Sequence, residues 1–157
     1  MDRVNKILNH KLYSDSLYKL LNYEKDREFC KHDMDHFMSV ARIAYIIVLE
    51  KGLSYSKELI YAIALLHDIG RVLQYEEGIP HDEGSVILSR VILKDIDFSE
   101  DEKNVILKSI SSHRSENNDE LDAIIYKSDK LSRECYRCKA EKECYWSVEK
   151  KNYTIAY

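Results

Sequence analysis

Apolar residues recur at helical spacing along most of the chain. Val4, Ile7, Leu8, Leu12, Leu17, Leu20 and Leu21 form a rough stripe that predicts one helix over about 3–22. A loop follows, from Asn22 to about Cys30. The next helix is expected over about 31–50, stopping at Gly52, and another over about 56–69. Gly70 then suits the position just past a helix end, where a positive φ favours glycine. The stretch 71–80 reads as irregular and ends in the only proline, Pro80. Further helices are expected over about 81–94, 99–113 and 119–134. Ser99 and Glu102 make the Ser-x-x-Glu pattern of a capping box. The segment from Cys135 to Tyr157 has no pattern that assigns it. No repeat and no linker interrupts the chain. The expected fold is all-α: a compact bundle of six to seven helices with short connections. It reads as a single domain over 1–157, with a core at about 30–134 and a cysteine-rich segment at 135–157.

Composition supports that picture. A chain of 157 residues buries about two-thirds of its unfolded surface and needs no staples to fold. Only four glycines and one proline are present, too few for the many tight turns of a sandwich or barrel. Lysine and arginine total 24 against 28 aspartates and glutamates, a net charge of −4. Bulk nucleic-acid binding is therefore not expected. The longest strictly apolar run, Leu59 to Leu66, is eight residues, and Ile43 to Leu49 follows at seven, whereas a membrane-spanning helix needs about 20. Met1 to Lys6 lack the apolar core of a signal peptide. The expected location is the cytoplasm, so the four cysteines are expected as reduced thiols or metal ligands.

The six histidines change the picture most. His36 is followed by Val40, Ile43 and Ile47. His67 is preceded by Ile60, Ile63 and Ala64. His81 is followed by Ser85, Leu88 and Ile92. His113 is preceded by Ile106 and Ile110, and Asp129 by Leu121 and Ile125. Residues three or four apart share a helix face. Five ligand-type side chains thus sit on the core-facing stripes of five helices, and Asp68 adjoins His67. One such histidine is more often a hydrogen-bonded core residue. An inward aspartate must be paired or bound to a cation. Several converging on one core point to a metal site, because imidazoles with carboxylates suit zinc, iron or manganese.

The order His36, His67-Asp68, Asp129 resembles the HD-domain superfamily of metal-dependent phosphohydrolases. The matching stretches are His36-Phe-Met-Ser-Val-Ala-Arg-Ile-Ala44, Ala64-Leu-Leu-His67-Asp68-Ile-Gly70-Arg71 and Ser128-Asp129-Lys130-Leu131. His32-Asp33 and His81-Asp82 are also His-Asp pairs but lack the apolar approach. The sequences His81-Asp-Glu-Gly84-Ser85 and Ser112-His113 fall where dinuclear branches of the superfamily carry two extra histidines. The resemblance implies one metal on His36, His67, Asp68 and Asp129, and a second on His81 and His113 with Asp68 bridging. It implies iron, manganese, cobalt or zinc, as one or two ions. Gly84 suits a close backbone approach. The Gly-Tyr-Pro signature of cyclic-dinucleotide enzymes is missing, as is the Glu-Asp pair of guanosine-tetraphosphate hydrolases. Dinucleoside-tetraphosphate hydrolases come closer, although the residues after His113 differ.

The activity so implied is hydrolysis of a phosphate ester or anhydride of a nucleotide or similar small molecule by metal-activated water. Asp68, Arg71 and Lys130 are the expected catalytic residues. Arg114 and Arg133 are further candidate phosphate contacts, and Glu83 is either near the ligands or solvated. His32, four residues before His36, is expected to meet the substrate or support the metal. His10 shows no partner. Cys135-x-x-Cys138-x5-Cys144, with Cys30 as a fourth thiolate, suits a structural zinc or an iron–sulfur cluster. Alternatives are a diiron oxygenase of the same superfamily, and a metal or redox sensor built on the cysteines.

Overall fold

The computed structural model describes residues 1–112 and 119–157. Among them the chain forms eight α-helices and two short 3₁₀ turns, with no strand. The first stripe is broken in two. Helix α1 (Asp2–Leu8) ends at Asn9, and α2 (Lys11–Tyr23) starts again behind His10. The reason is a cap: His10 Nδ1 accepts from the Leu12 N–H at 3.2 Å, and its Nε2 lies 3.2 Å from Asp95. His10 therefore has partners, contrary to expectation.

Helix α3 (Met34–Glu50) begins at the Asp33 cap, and α4 (Lys57–Leu66) at the Ser56 cap. Every residue from Leu59 to Leu66 is buried. A helix apolar all round belongs in the middle of a bundle, and α4 does contact α1, α3 and α7. His67 and Asp68 leave its C-terminal end inside the core, at 0% and 2% exposure. The stretch read as irregular is instead a helix, α5 (Arg71–Glu77), closed by Gly78 at φ 73°. Helix α6 (His81–Lys94) starts directly after Pro80. Helix α7 (Glu100–Ser112) carries the expected capping box: Glu102 N–H donates to Ser99 Oγ at 3.2 Å, and Ser99 N–H to Glu102 Oε2 at 2.9 Å. Helix α8 (Glu120–Leu131) follows the Asp119 cap and packs on α3.

Gly70 is not a left-handed cap, since its φ is −70°. Its role is steric. A Cβ there would stand 1.9 Å from Ser85 N and 2.2 Å from Gly84 C. One at Gly84 would stand 2.8 Å from Gly70 O, so the close approach expected at Gly84 is present. Two glycines let the backbones of the α4–α5 corner and α6 touch, and Gly70 N–H donates to Ser85 Oγ at 2.9 Å. This contact sets where His81, the first residue of α6, stands relative to Asp68.

Beyond α8 the chain is irregular apart from 3₁₀ turns at Cys135–Arg137 and Val148–Lys150. Asn152 Nδ2 ties it down by donating to the Lys130 and Arg133 carbonyls, each at 2.8 Å. No helix among the described residues is long and apolar enough to cross a membrane.

At the other end of the bundle, Arg3 Nε donates to Glu58 at 2.7 Å, and its Nη1 to Glu102 at 2.9 Å. Burial opposes ionisation of Glu58, but hydrogen bonds from Arg3 and the Met1 amino group prevail and bring its pKa down to about 2. A carboxylate depressed on folding stabilises the fold fully above its unfolded pKa, near 4.5, and that contribution disappears as pH falls through about 2. Urea denaturation should show Glu58→Gln losing about 1 kcal/mol at neutral pH, a value reduced by solvent screening. The deficit should vanish at the acid end of that window. An equal deficit at both ends would remove the ion pair as its cause.

Candidate metal centre

Four residues from three elements converge around the Asp68 carboxylate. His36 comes from the first turn of α3, His67 and Asp68 from the end of α4, and Asp129 from the last turn of α8. Each offers a ligand atom within 4.8 Å of all the others, and all four are buried. Nε2 of His67 lies 3.5 Å from Asp68 Oδ2, and Nε2 of His36 lies 3.9 Å from it. His36 Nε2 is 3.5 Å from Asp129 Oδ1. His32 joins them, its Nε2 3.6 Å from Asp68 Oδ2. His81 approaches the other oxygen, its Nε2 3.4 Å from Oδ1.

The far nitrogens explain why Nε2 faces inward. His67 Nδ1 donates to the Ala64 carbonyl at 2.7 Å, so its Nε2 carries the lone pair. Ser132 Oγ donates to the Asp129 carbonyl at 2.7 Å and accepts from His36 Nδ1 at 3.0 Å, with the same result at His36. His32 Nδ1 donates to Glu24 Oε1 at 2.8 Å. Partners of this kind fix the tautomer and make the imidazole a better ligand.

Protonation states also fit a cation. Burial, then the charges of Arg133 and His67, push the His36 pKa well below its usual range. Burial lowers that of His32 as well, against the hydrogen bond to Glu24. Burial opposes ionisation of Asp129, but the charges of Arg133, His67 and Lys130 together outweigh it and hold this carboxyl well below the usual range. Neutral imidazoles with ionised carboxylates are the donor set of a divalent transition metal, so the residues present fit the implied ion.

Cations ring the carboxylates. Arg71 Nε lies 3.1 Å from Asp68 Oδ1, and Lys130 Nζ 2.7 Å from Asp129 Oδ2. Arg133 Nη2 lies 3.3 Å from both Asp129 Oδ1 and His36 Nε2, while Nη1 holds the Lys31 carbonyl at 3.2 Å. These groups open onto a cleft of about 1070 Å³ that Tyr126 and Trp146 also line. Lys130 Nζ sits over both rings, 5.0 Å and 6.0 Å from their centroids.

The structure therefore brings together His36, His67, Asp68, Asp129, His81, Arg71, Lys130 and Arg133. His113 and Arg114 lie outside the described residues. Glu83 is exposed. His32 stands beside the centre and also lines the cleft. Glu24 was missed, because it sits in a run of charged residues. It is buried, receives both His32 donors and the Tyr75 hydroxyl, and its carboxyl is held low despite burial by the His32 hydrogen bonds. The available signal was its place four residues after the buried Leu20 on the α2 stripe.

Replacing Ser132 with alanine removes the acceptor that orients His36. Metal affinity should fall about 10–100-fold, with the metal-free protein melting within a few degrees of the parent. Titration with a divalent ion checks this, and unchanged affinity would separate Ser132 from the centre.

The chain matches the HD domain family over residues 34–134. It is 46% identical to an uncharacterized protein of Clostridium beijerinckii over 157 residues, covering the whole of both. Its fold matches the crystal structure of a predicted HD superfamily hydrolase from an uncultured Thermotogales bacterium, with a TM-score of 0.62 and 22% identity. That match covers 78% of this chain and 67% of the other. With the His-Asp pair at the end of α4 and its buried partners on α3 and α8 already in view, the family match gives the conclusion: this chain belongs to the HD-domain superfamily.

Proposed function

We propose that the protein is a metal-dependent phosphohydrolase acting on a nucleotide or a similar small phosphorylated compound. The observation that carries this reading is the convergence of His36, His67, Asp68 and Asp129 beside a cleft that His36 and Asp129 line and whose walls carry arginine and lysine. A divalent ion held by those four residues would acidify water and polarise a phosphoryl oxygen. The side chains supply the rest. Arg71 and Lys130 place positive charge beside the carboxylates, where phosphate oxygens would need it. Asp129 is held ionised against its burial by Arg133, packed against it, together with the His67 and Lys130 charges. The two oxygens of Asp68 face different partners, Oδ2 toward His32, His36 and His67 and Oδ1 toward His81. That division suits a carboxylate shared by two ions, with His81 serving the second. The cleft is large enough for a nucleotide, and the Tyr126 and Trp146 rings offer surfaces for a base.

The test is a phosphate-release screen over nucleotides and dinucleotides with iron, manganese, cobalt and zinc, alongside elemental analysis. Metal-dependent release, with close to two ions per chain apart from any held by thiols, is the expected result. No release with any loaded metal would overturn the reading. Oxygen consumption by the iron form, without release, would favour an oxygenase, for which a shared Asp68 is equally suited. A metal content lost in Cys135→Ser but kept in Asp68→Ala would favour a sensor.

A further inference from the structure

The segment from Ser132 to Tyr157 has almost no core of its own. Cys135 is its one buried apolar side chain, whereas Tyr136, Tyr145, Val148, Tyr153, Ile155 and Tyr157 are exposed. Its turns are closed by single hydrogen bonds: Cys138 N–H to the Cys135 carbonyl at 3.2 Å, Glu141 N–H to Cys138 at 3.3 Å, and Cys144 N–H to Glu141 at 3.3 Å. Irregular segments without a core are ordinarily held by disulfides or metal. Three of its residues are cysteines, and none is in a disulfide.

The fourth cysteine arrives from elsewhere in the chain. Cys30 lies in the irregular stretch between α2 and α3, two residues before His32. It lines the same cleft as Cys135, Cys138 and Cys144. Burial raises the pKa of its thiol, Arg133 lowers it, and the charges of the other three cysteines act on it as well, which requires them to be near. Arg27 Nε donates to the Cys30 carbonyl at 2.9 Å, and Arg133 to that of Lys31 at 3.2 Å, so two guanidinium groups fix this stretch beside the thiols.

Spacing separates the two kinds of four-thiolate centre. A tetrahedral zinc with bonds of about 2.3 Å would hold its sulfurs about 3.8 Å apart. Among the described residues, only His36, His67, Asp68 and Asp129 bring three or more ligand atoms within 4.8 Å of one another, so no three of these sulfurs do. An iron–sulfur cluster places several irons and sulfides between its thiolates and holds them farther apart.

We infer that Cys30, Cys135, Cys138 and Cys144 bind an iron–sulfur cluster in the wall of the cleft, fastening the C-terminal segment to the α2–α3 connection. Each thiol gives up its proton on ligation. The site shares no ligand with the centre around Asp68, so it stands or falls separately from the hydrolase reading.

The experiment is purification without oxygen, followed by reconstitution with ferric iron, sulfide and a dithiol, which reduces part of the iron. Iron and acid-labile sulfide in equal amounts, with visible charge-transfer absorption, are expected. Cys144→Ser and Cys138→Ser should each lose most of the sulfide and the absorption while keeping the helical circular dichroism of the parent. His67→Ala should keep both signals. Limited proteolysis should cut within 135–157 faster in the cysteine variants. Zinc bound to the thiols without sulfide would overturn the inference, as would a reconstituted protein with no sulfide. A cluster signal that survives Cys138→Ser and Cys144→Ser would also overturn it.

Discussion

Replacing Asp68 with alanine should strip the centre of its ion and reduce metal-dependent hydrolysis by at least about a thousandfold, roughly 4 kcal/mol of transition-state stabilisation. Five side chains approach its carboxylate. Its Oδ2 faces His32 at 3.6 Å, His36 at 3.9 Å and His67 at 3.5 Å, and its Oδ1 faces His81 at 3.4 Å and Arg71 at 3.1 Å. Without the carboxylate, four imidazoles and a guanidinium surround a neutral methyl group, and a dication finds one anionic ligand fewer. Asp68→Asn is the companion variant, since it keeps the volume and removes only the charge. Both should lose bound metal by elemental analysis and activity by phosphate release. Circular dichroism should show the helices intact. Full metal content with full activity in Asp68→Ala would dismiss the centre as the site of chemistry.

The second large effect falls on a residue with no side chain. Gly70→Ala should destabilise the fold by about 3 kcal/mol or more, within the range of severe overpacking. The new Cβ would stand 1.9 Å from Ser85 N, 2.2 Å from Gly84 C and 2.5 Å from His81 O. All three are backbone atoms of α6, which no rotamer change can move aside. Either α6 shifts away, breaking the Gly70–Ser85 hydrogen bond, or the corner between α4 and α5 does. Both movements separate His81 from Asp68, so activity should fall along with stability. Gly52→Ala provides the contrast. Its Cβ meets nothing within 4 Å, and only its φ of 65° resists the change. A loss of about 1 kcal/mol is expected there, with activity retained. Urea denaturation of both variants reads the difference. Equal midpoints would rule out the backbone contact as the cause.

These two residues show how differently the sequence signals its content. Asp68 was legible because it follows an apolar helix and has matching residues upstream and downstream. Gly70 was seen as a helix stop for the wrong reason. A local rule offers a positive φ after a helix, whereas the actual demand comes from α6, fifteen positions further on at Ser85. The same limit explains His10 and the 71–77 helix. A cap formed by an imidazole is not among the usual capping patterns. Helix α5 is short, and its exposed face, Gln74 to Glu77, leaves little periodicity to read. Glu24 was hidden among charged neighbours, although its place on the α2 stripe was readable.

By itself, the order of residues determined the all-helical class, most helix boundaries, and the set His36, His67, Asp68, Asp129 and His81. Periodicity is a local property, and it places His36, His67, His81 and Asp129 on core-facing stripes without reference to any other helix, whereas Asp68 enters as the neighbour of His67 and through the family resemblance. Only the tertiary structure decided which atoms face the centre. His67 turns Nε2 inward because the Ala64 carbonyl takes Nδ1, while His36 and His32 need Ser132 and Glu24, which lie 96 and 8 residues away in the chain. It also decided that Asp68 meets His81 through one oxygen and three other histidines through the second. It placed Cys30 in the same cleft as the C-terminal thiols. Such choices depend on how helices pack against one another, and a pattern of apolar spacing along one strand of chain carries no information about its neighbour's orientation.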